Sequence, residues 1–193
     1  NWFYELFIEN FQGCIWLACI LLAMIPALEA KIAIPFAMNP AFWGNNALPA
    51  WQACIFAFIG SILPSLAIIY FTRFLKSKTS GFLVNSKKFS VKVKQINNKT
   101  SNLKKYLTLC GFVAIPLPLT GVWTGSLIAG LSNLEIWKSL ISIFIGAIIS
   151  CLIMTLICVF FSNSIGTILI ISLCLIIVFL AIDLFITIFK KKS

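Results

Sequence analysis

Glu29 and Lys31 stand two residues apart in the otherwise uncharged, largely apolar stretch Phe11–Trp43, which Pro26, Pro35 and Pro40 interrupt. A charge at bilayer depth costs on the order of 2.5–3.5 kcal/mol even on a lenient insertion scale, so such a pair marks a site. Residues i and i+2 do not share a helical face, but in an extended segment they point the same way. An unwound tip between Pro26 and Pro35 is therefore expected, with the two charges acting together. Glu29 has the chemistry of a proton or cation acceptor, and Lys31 that of a donor to an anion. The competing account is a self-neutralising structural pair, or a tip that reaches a membrane interface.

A second constellation carries no charge. Ile115-Pro116-Leu117-Pro118-Leu119-Thr120-Gly121-Val122-Trp123-Thr124-Gly125 offers two threonine hydroxyls, an indole N–H and backbone groups freed around the prolines. Gly121 and Gly125 form a GxxxG, which alone more often means helix packing. A helix beginning near Thr120 would turn its positive dipole end toward the membrane centre, favouring an anionic head group.

The rest of the composition narrows the chemistry. The chain has 193 residues, 61% apolar and 10% charged, and its mean hydropathy is +1.04. A soluble domain averages roughly 45–50% apolar and 25% charged, so this chain belongs in a bilayer. It contains no histidine, which excludes a Ser-His-Asp or Cys-His catalyst and a histidine metal ligand. Cys14, Cys19, Cys54, Cys110, Cys151, Cys158 and Cys174 form no CxxC and read as small apolar filler. No nucleophile has a base beside it, so no enzyme is expected, and no cofactor.

The elements that must position these residues are helices. Ala50–Phe74, Trp137–Phe161 and Ile165–Phe189 each exceed the ~20 residues a spanning helix needs. Pro64 predicts a kink in the first. Leu107–Leu131 is apolar but broken at its centre, leaving arms of about a dozen residues, or ~18 Å, against a ~30 Å hydrocarbon core. A re-entrant helix–turn–helix is expected there. Phe11–Trp43 repeats the theme with longer arms, so two full spans remain open for it. Lys76–Lys105 carries nine lysines and reads as a basic cytoplasmic loop; it lacks the aromatic interleaving of a nucleic-acid binder.

If each hairpin enters and leaves on one face, Arg73, the loop lysines, Lys138 and Lys190-Lys191-Lys192 fall on one side. Of the fifteen positive residues only Lys31 is left out. The positive-inside rule then places the N-terminus out and the C-terminus in. Glu135 reads as an interfacial charge, and Asp183 lies close enough to the far end of its span to reach head groups. A hairpin followed by a spanning helix occurs twice. Both spanning helices carry small residues near every fourth position: Ala53, Ala57, Ser61 and Ser65, then Ser142, Gly146 and Ser150. The expected fold is an all-α polytopic integral membrane protein, with two Pro-broken re-entrant hairpins, three spanning helices and an inverted-topology repeat.

At the two hairpins the sequence resembles the small multi-drug export protein family, a bacterial and plastid group placed within the wider DedA superfamily. The resemblance rests on Glu29-Ala30-Lys31-Ile32-Ala33-Ile34-Pro35 and, more specifically, on the Pro116–Gly125 segment. Lys31 stands where arginine is usual, keeping charge but losing the bidentate fork; Leu119 replaces a common glycine. The resemblance implies inward-facing hairpins, a bacterial inner membrane or plastid membrane, and transport or lipid translocation. The arginines that DedA relatives place after the second tip are not seen. The expected site comprises Glu29, Lys31, Pro26, Pro35, Pro116, Pro118, Thr120, Gly121, Trp123, Thr124 and Gly125. The expected partners are membrane lipids, a small amphipathic or lipid-phosphate substrate and, if the chain self-associates, a second copy. A non-transporting scaffold or an uncoupled scramblase is the alternative.

Overall fold

The computed structural model describes residues 11, 13–26, 28–78, 102–117, 120–132 and 134–192, with backbone alone for 75–78, 102, 163, 179–180 and 183–192. The described residues are almost entirely helical. In chain order the helices are α1 (Ile15–Met24), α2 (Glu29–Ala37), α3 (Pro40–Trp43), α4 (Ala50–Lys78), α5 (Asn102–Ala114), α6 (Val122–Leu131), α7 (Ile136–Phe160) and α8 (Ile165–Lys192). Single 3-10 turns at Gly44–Asn46 and Ser162–Ser164 lead toward α4 and into α8.

Two stretches among the described residues, Ala50–Phe74 and Ile136–Phe160, are long and apolar enough to cross a membrane. At 1.5 Å per residue, each covers roughly 37 Å. The third expected span, Ile165–Phe189, lies within α8, which is helical for 28 residues and is predominantly apolar and uncharged from Ile165 through Val178. By contrast α1, α2, α5 and α6 have 10, 9, 13 and 10 residues. Each is at most about 20 Å long, short of the ~30 Å core.

Lys76–Lys105 was expected to be a basic loop with room for a short amphipathic helix; helices extend into both of its ends, as α4 runs to Lys78 and α5 starts at Asn102. Lysine is a good helix former, and positive charge suits the C-terminal end of α4. The middle of that loop lies outside the described residues.

The packing order is regular. The first arm of each hairpin lies along the long helix that follows it, α1 on α4 and α5 on α7, while the second arms α2 and α6 each touch both long helices. Glycine makes the close crossings. A Cβ on Gly60 would sit 2.8 Å from the Ala23 Cβ and collide with the Ile20 carbonyl. A Cβ on Gly146 would sit 2.8 Å from the Val113 Cβ and 2.7 Å from the Cys110 carbonyl oxygen. Phe58 and Phe144 meet edge-to-face between α4 and α7, centroids 4.8 Å apart. One buried cluster gathers round the first hairpin, with Cys19, Ala33, Ala57 and Cys151, and another round the second, with Val113, Val122, Ile143 and Ala147. The functional candidates lie where these two clusters meet.

Candidate functional site

The first tip is tighter than the prolines suggested. Met24 ends α1, and the Glu29 N–H donates to the Ile25 carbonyl oxygen at 3.2 Å, closing the turn. Helix α2 then starts at Glu29 itself and runs through Pro35. The expected unwound segment between Pro26 and Pro35 is thus confined to the few residues before Glu29, and Lys31 is helical. Apolar α2, wedged between α4, α7 and α8, gains more from burial as a helix than Pro35 removes. Pro35 still has no N–H to give the Lys31 carbonyl.

The two charges nevertheless face each other. Glu29 has φ +47°, in the left-handed region that costs an L-residue roughly 1–2 kcal/mol. This departure from helical geometry turns its side chain toward that of Lys31, and Lys31 Nζ lies 3.3 Å from Glu29 Oε2. Both residues are buried, at 6% and 4% exposure. Backbone strain at one residue, not an extended segment, brings i and i+2 together.

The second tip is braced by Thr120. Its hydroxyl donates toward the carbonyl oxygens of Ile115 and Leu117, at 2.8 and 2.9 Å, and accepts from the Leu117 N–H at 3.2 Å. Helix α6 follows, with the Gly121 N–H donating to Thr124 Oγ1 at 3.2 Å.

The tips are joined through the charged pair. The Trp123 N–H, in the first turn of α6, donates to Glu29 Oε1 at 3.2 Å. Lys31 Nζ donates to the Thr120 carbonyl oxygen. The carboxylate therefore occupies the positive end of α6, where an anionic head group was expected. Gly121 makes this possible, because a Cβ there would fall on the Glu29 carboxylate.

Glu29, Lys31, Thr120, Gly121 and Trp123 thus form one site, with Thr124 supporting Gly121. Gly125 belongs to packing instead: a Cβ there would lie 2.6 Å from Val113 Cγ2, on α5. Pro26 is exposed at the first tip and Pro35 is buried within α2. Pro116 sits half-buried in the second tip, and Pro118 lies outside the described residues. Arg73, placed by the sequence among the charges of one membrane side, donates to the Leu134 carbonyl oxygen, tying α4 to the loop after α6. Lys138 and Glu135 form an exposed ion pair at 2.7 Å. The Asp183 side chain is not described.

Ser61, Ser150 and Cys151 were read only as small residues or filler, yet they line a cavity beside Glu29 and Lys31. The spacing of small residues on α4 and α7 was visible in the sequence; which of them would face the pair was not. No group of three or more His, Cys, Asp or Glu residues suited to a metal occurs among the described residues.

A family profile described as "Putative small multi-drug export protein" matches residues 29–153, from the first tip to the far half of α7. No curated protein and no solved structure matches the chain. The matched segment starts at Glu29, just after the first turn, contains the second tip and the whole Glu29–Lys31–α6 arrangement, and covers nearly two thirds of the chain. The protein is a member of the small multi-drug export protein family, whose name points to export or transport across a membrane.

Proposed function

We propose that this protein is a proton-coupled secondary transporter of small amphipathic substrates, with its site between two re-entrant hairpins. The observation that carries this reading is the Glu29 carboxylate, held jointly by Lys31 and the Trp123 N–H. The charge of that carboxylate sets how firmly α2 and α6 are tied. Ionised, it pairs with the ammonium and the helix end; protonated, it loses most of its attraction to both. Lys31 and the start of α6 then become free to receive an anionic head group, a lipid phosphate among them. A cationic amphipath instead competes with the proton for Glu29. An anionic substrate should travel with the proton, and a cationic one against it, the sense of export.

The paired crossings at Gly60 and Gly146 support an inverted repeat in which the two halves move against each other. Together with the short arms, they also support the wider DedA placement that the sequence motifs imply. An inner or plastid membrane, N-terminus out and C-terminus in, completes the reading. The chain uses no cofactor and performs no catalysis in this scheme.

The test is flux into proteoliposomes of purified protein, with and without an imposed pH gradient. Gradient-driven flux should vanish in Glu29→Gln while the protein still folds and inserts. Persistent coupling in that variant would sink the mechanism. A second reading has its own support, because the pair is buried and satisfied within the protein. In it the pair is a structural clasp, and the chain is a scaffold or an uncoupled scramblase; flux insensitive to both the gradient and Glu29 would favour it.

A further inference from the structure

A small cavity opens between α2, α4, α5, α6 and α7, lined by Glu29, Lys31, Ser61, Ala147, Ser150 and Cys151 among others. Its volume of about 10 Å³ is at the threshold for a single water molecule. Ser61 is 2% exposed, and its hydroxyl has no hydrogen-bond partner. On the same helices Ser65 donates to the Ile62 carbonyl oxygen at 2.6 Å and Ser142 to that of Lys138 at 2.9 Å; Ser139 of α7 is unpartnered like Ser61 but does not line this cavity. Ser61 is thus a buried donor and acceptor beside a cavity that Glu29 and Lys31 also line.

We infer that this cavity is a binding site for one water molecule, held by Ser61 Oγ and the Glu29–Lys31 pair, with Ser61 as its positioning residue. An apolar void of this size stays dry, but this one presents a hydroxyl, a carboxylate and an ammonium, which meets the two to four polar partners a buried water needs. A metal cation fits less well. The Lys31 ammonium lines the same space and repels a second positive charge at short range in a low-dielectric interior. Of the described lining side chains, only Glu29, Ser61 and Ser150 carry oxygen. The site depends on this geometry alone. Its role rests on the proposed function: a water touching Glu29 gives the carboxylate a route for its proton besides its partners Lys31 and the Trp123 N–H.

Infrared spectra of the purified protein in lipid, in D2O and in oxygen-18 D2O, test the site directly. The wild type should show an isotope-shifted O–D stretch outside the bulk-water band. That band should disappear in Ser61→Ala, a near-isosteric change, and persist in Ser65→Ala, whose hydroxyl is used within its own helix. In the same preparations, Ser61→Ala should lower gradient-driven flux several-fold without abolishing it. Absence of the band from the wild type, or its survival in Ser61→Ala, overturns the inference. So does a band that sodium removes and choline does not, which would place a cation there. The outcome is separable from the function test: coupling that survives Glu29→Gln removes the transport reading while the wild-type water band stands, and a wild type that lacks the band but loses coupling in Glu29→Gln removes the water site alone.

Discussion

Glu29 is asked to do three things at once: adopt a left-handed backbone, balance Lys31, and cap α6. Each has a different sensitivity to substitution. Glu29→Gln keeps shape and strain but removes the charge, so its effect should fall on coupling more than on folding. Lys31→Met has the opposite character, because it leaves a buried carboxylate with one backbone donor and no counter-charge. Stranding one partner of a buried pair costs roughly 3–5 kcal/mol, so the unfolding midpoint in detergent should drop sharply. The double variant Glu29→Gln with Lys31→Met should recover much of that loss, and Lys31→Arg should stay close to wild type. If the single and double variants are equally unstable, the pair is not coupled as described. Gly121→Ala should push the Glu29 carboxylate off the Trp123 N–H and reduce gradient-driven flux to the level of Glu29→Gln. Most of these residues were legible beforehand, since a charge in an apolar run and a threonine-glycine after a double proline are local signals. Two things were not. Lys31 bonds a backbone carbonyl, which has no side-chain signature, and Ser61 matters only through the helix face that packing gives it.

At the scale of elements, a break between short helices falls in each proline-bearing segment, but the first is confined to the residues before Glu29. Pro26 lies at the turn, whereas Pro35 sits inside α2, where packing against α4, α7 and α8 outweighs one missing hydrogen bond. Proline marks where a helix is weak; tertiary burial decides whether it breaks. Of the small residues that make the crossings, Gly146 lay on a stripe visible in the sequence, whereas Gly60 did not, although the two stand at equivalent depths, ten residues beyond Ala50 and Ile136. Each permits a long helix to touch the first arm of its own hairpin. Leucine at either position should therefore be destabilising by at least the 1–3 kcal/mol typical of overpacking, since carbonyl oxygens on α1 and α5 cannot rotate away as side chains can. Thermal unfolding of Gly60→Leu and Gly146→Leu checks this, and alanine should give a smaller loss of the same sign. Wild-type stability in both leucine variants would mean that the crossings are looser than described. The aromatic contact between Phe58 and Phe144 adds little to this argument, because an edge-to-face pair is worth only ~0.5–1.5 kcal/mol beyond its burial.

For the whole molecule, the question is how short arms and long helices share one bilayer. Arms of 9 to 13 residues are too short to cross it singly, and the proposed re-entrant hairpins, each returning to the face it entered, would accommodate them. Charge decides the orientation. Arg73 lies at the end of the apolar part of α4, Lys138 near the start of α7, and Lys190, Lys191 and Lys192 at the far end of α8. With both hairpins re-entrant, all of these lie on one side, and that side should be the cytoplasm. The same arrangement places Thr120 deep in the membrane, open to water from one side only, while Leu107 and Leu131 sit at a common face. Single-cysteine variants at these three positions, in a background where the seven native cysteines are replaced, separate the possibilities. Impermeant thiol reagent in inside-out vesicles should label Leu107→Cys and Leu131→Cys, and in intact cells it should label neither. Thr120→Cys should react from one side alone, and the Glu29→Gln change should alter its rate if the tips part when the carboxylate is neutralised. Labelling of Leu107→Cys and Leu131→Cys from opposite faces would convert the hairpin into two crossings. The Glu29 latch would then have to operate within a continuous bundle, with no pair of tips to separate, and alternating movement of two halves would no longer follow from the fold.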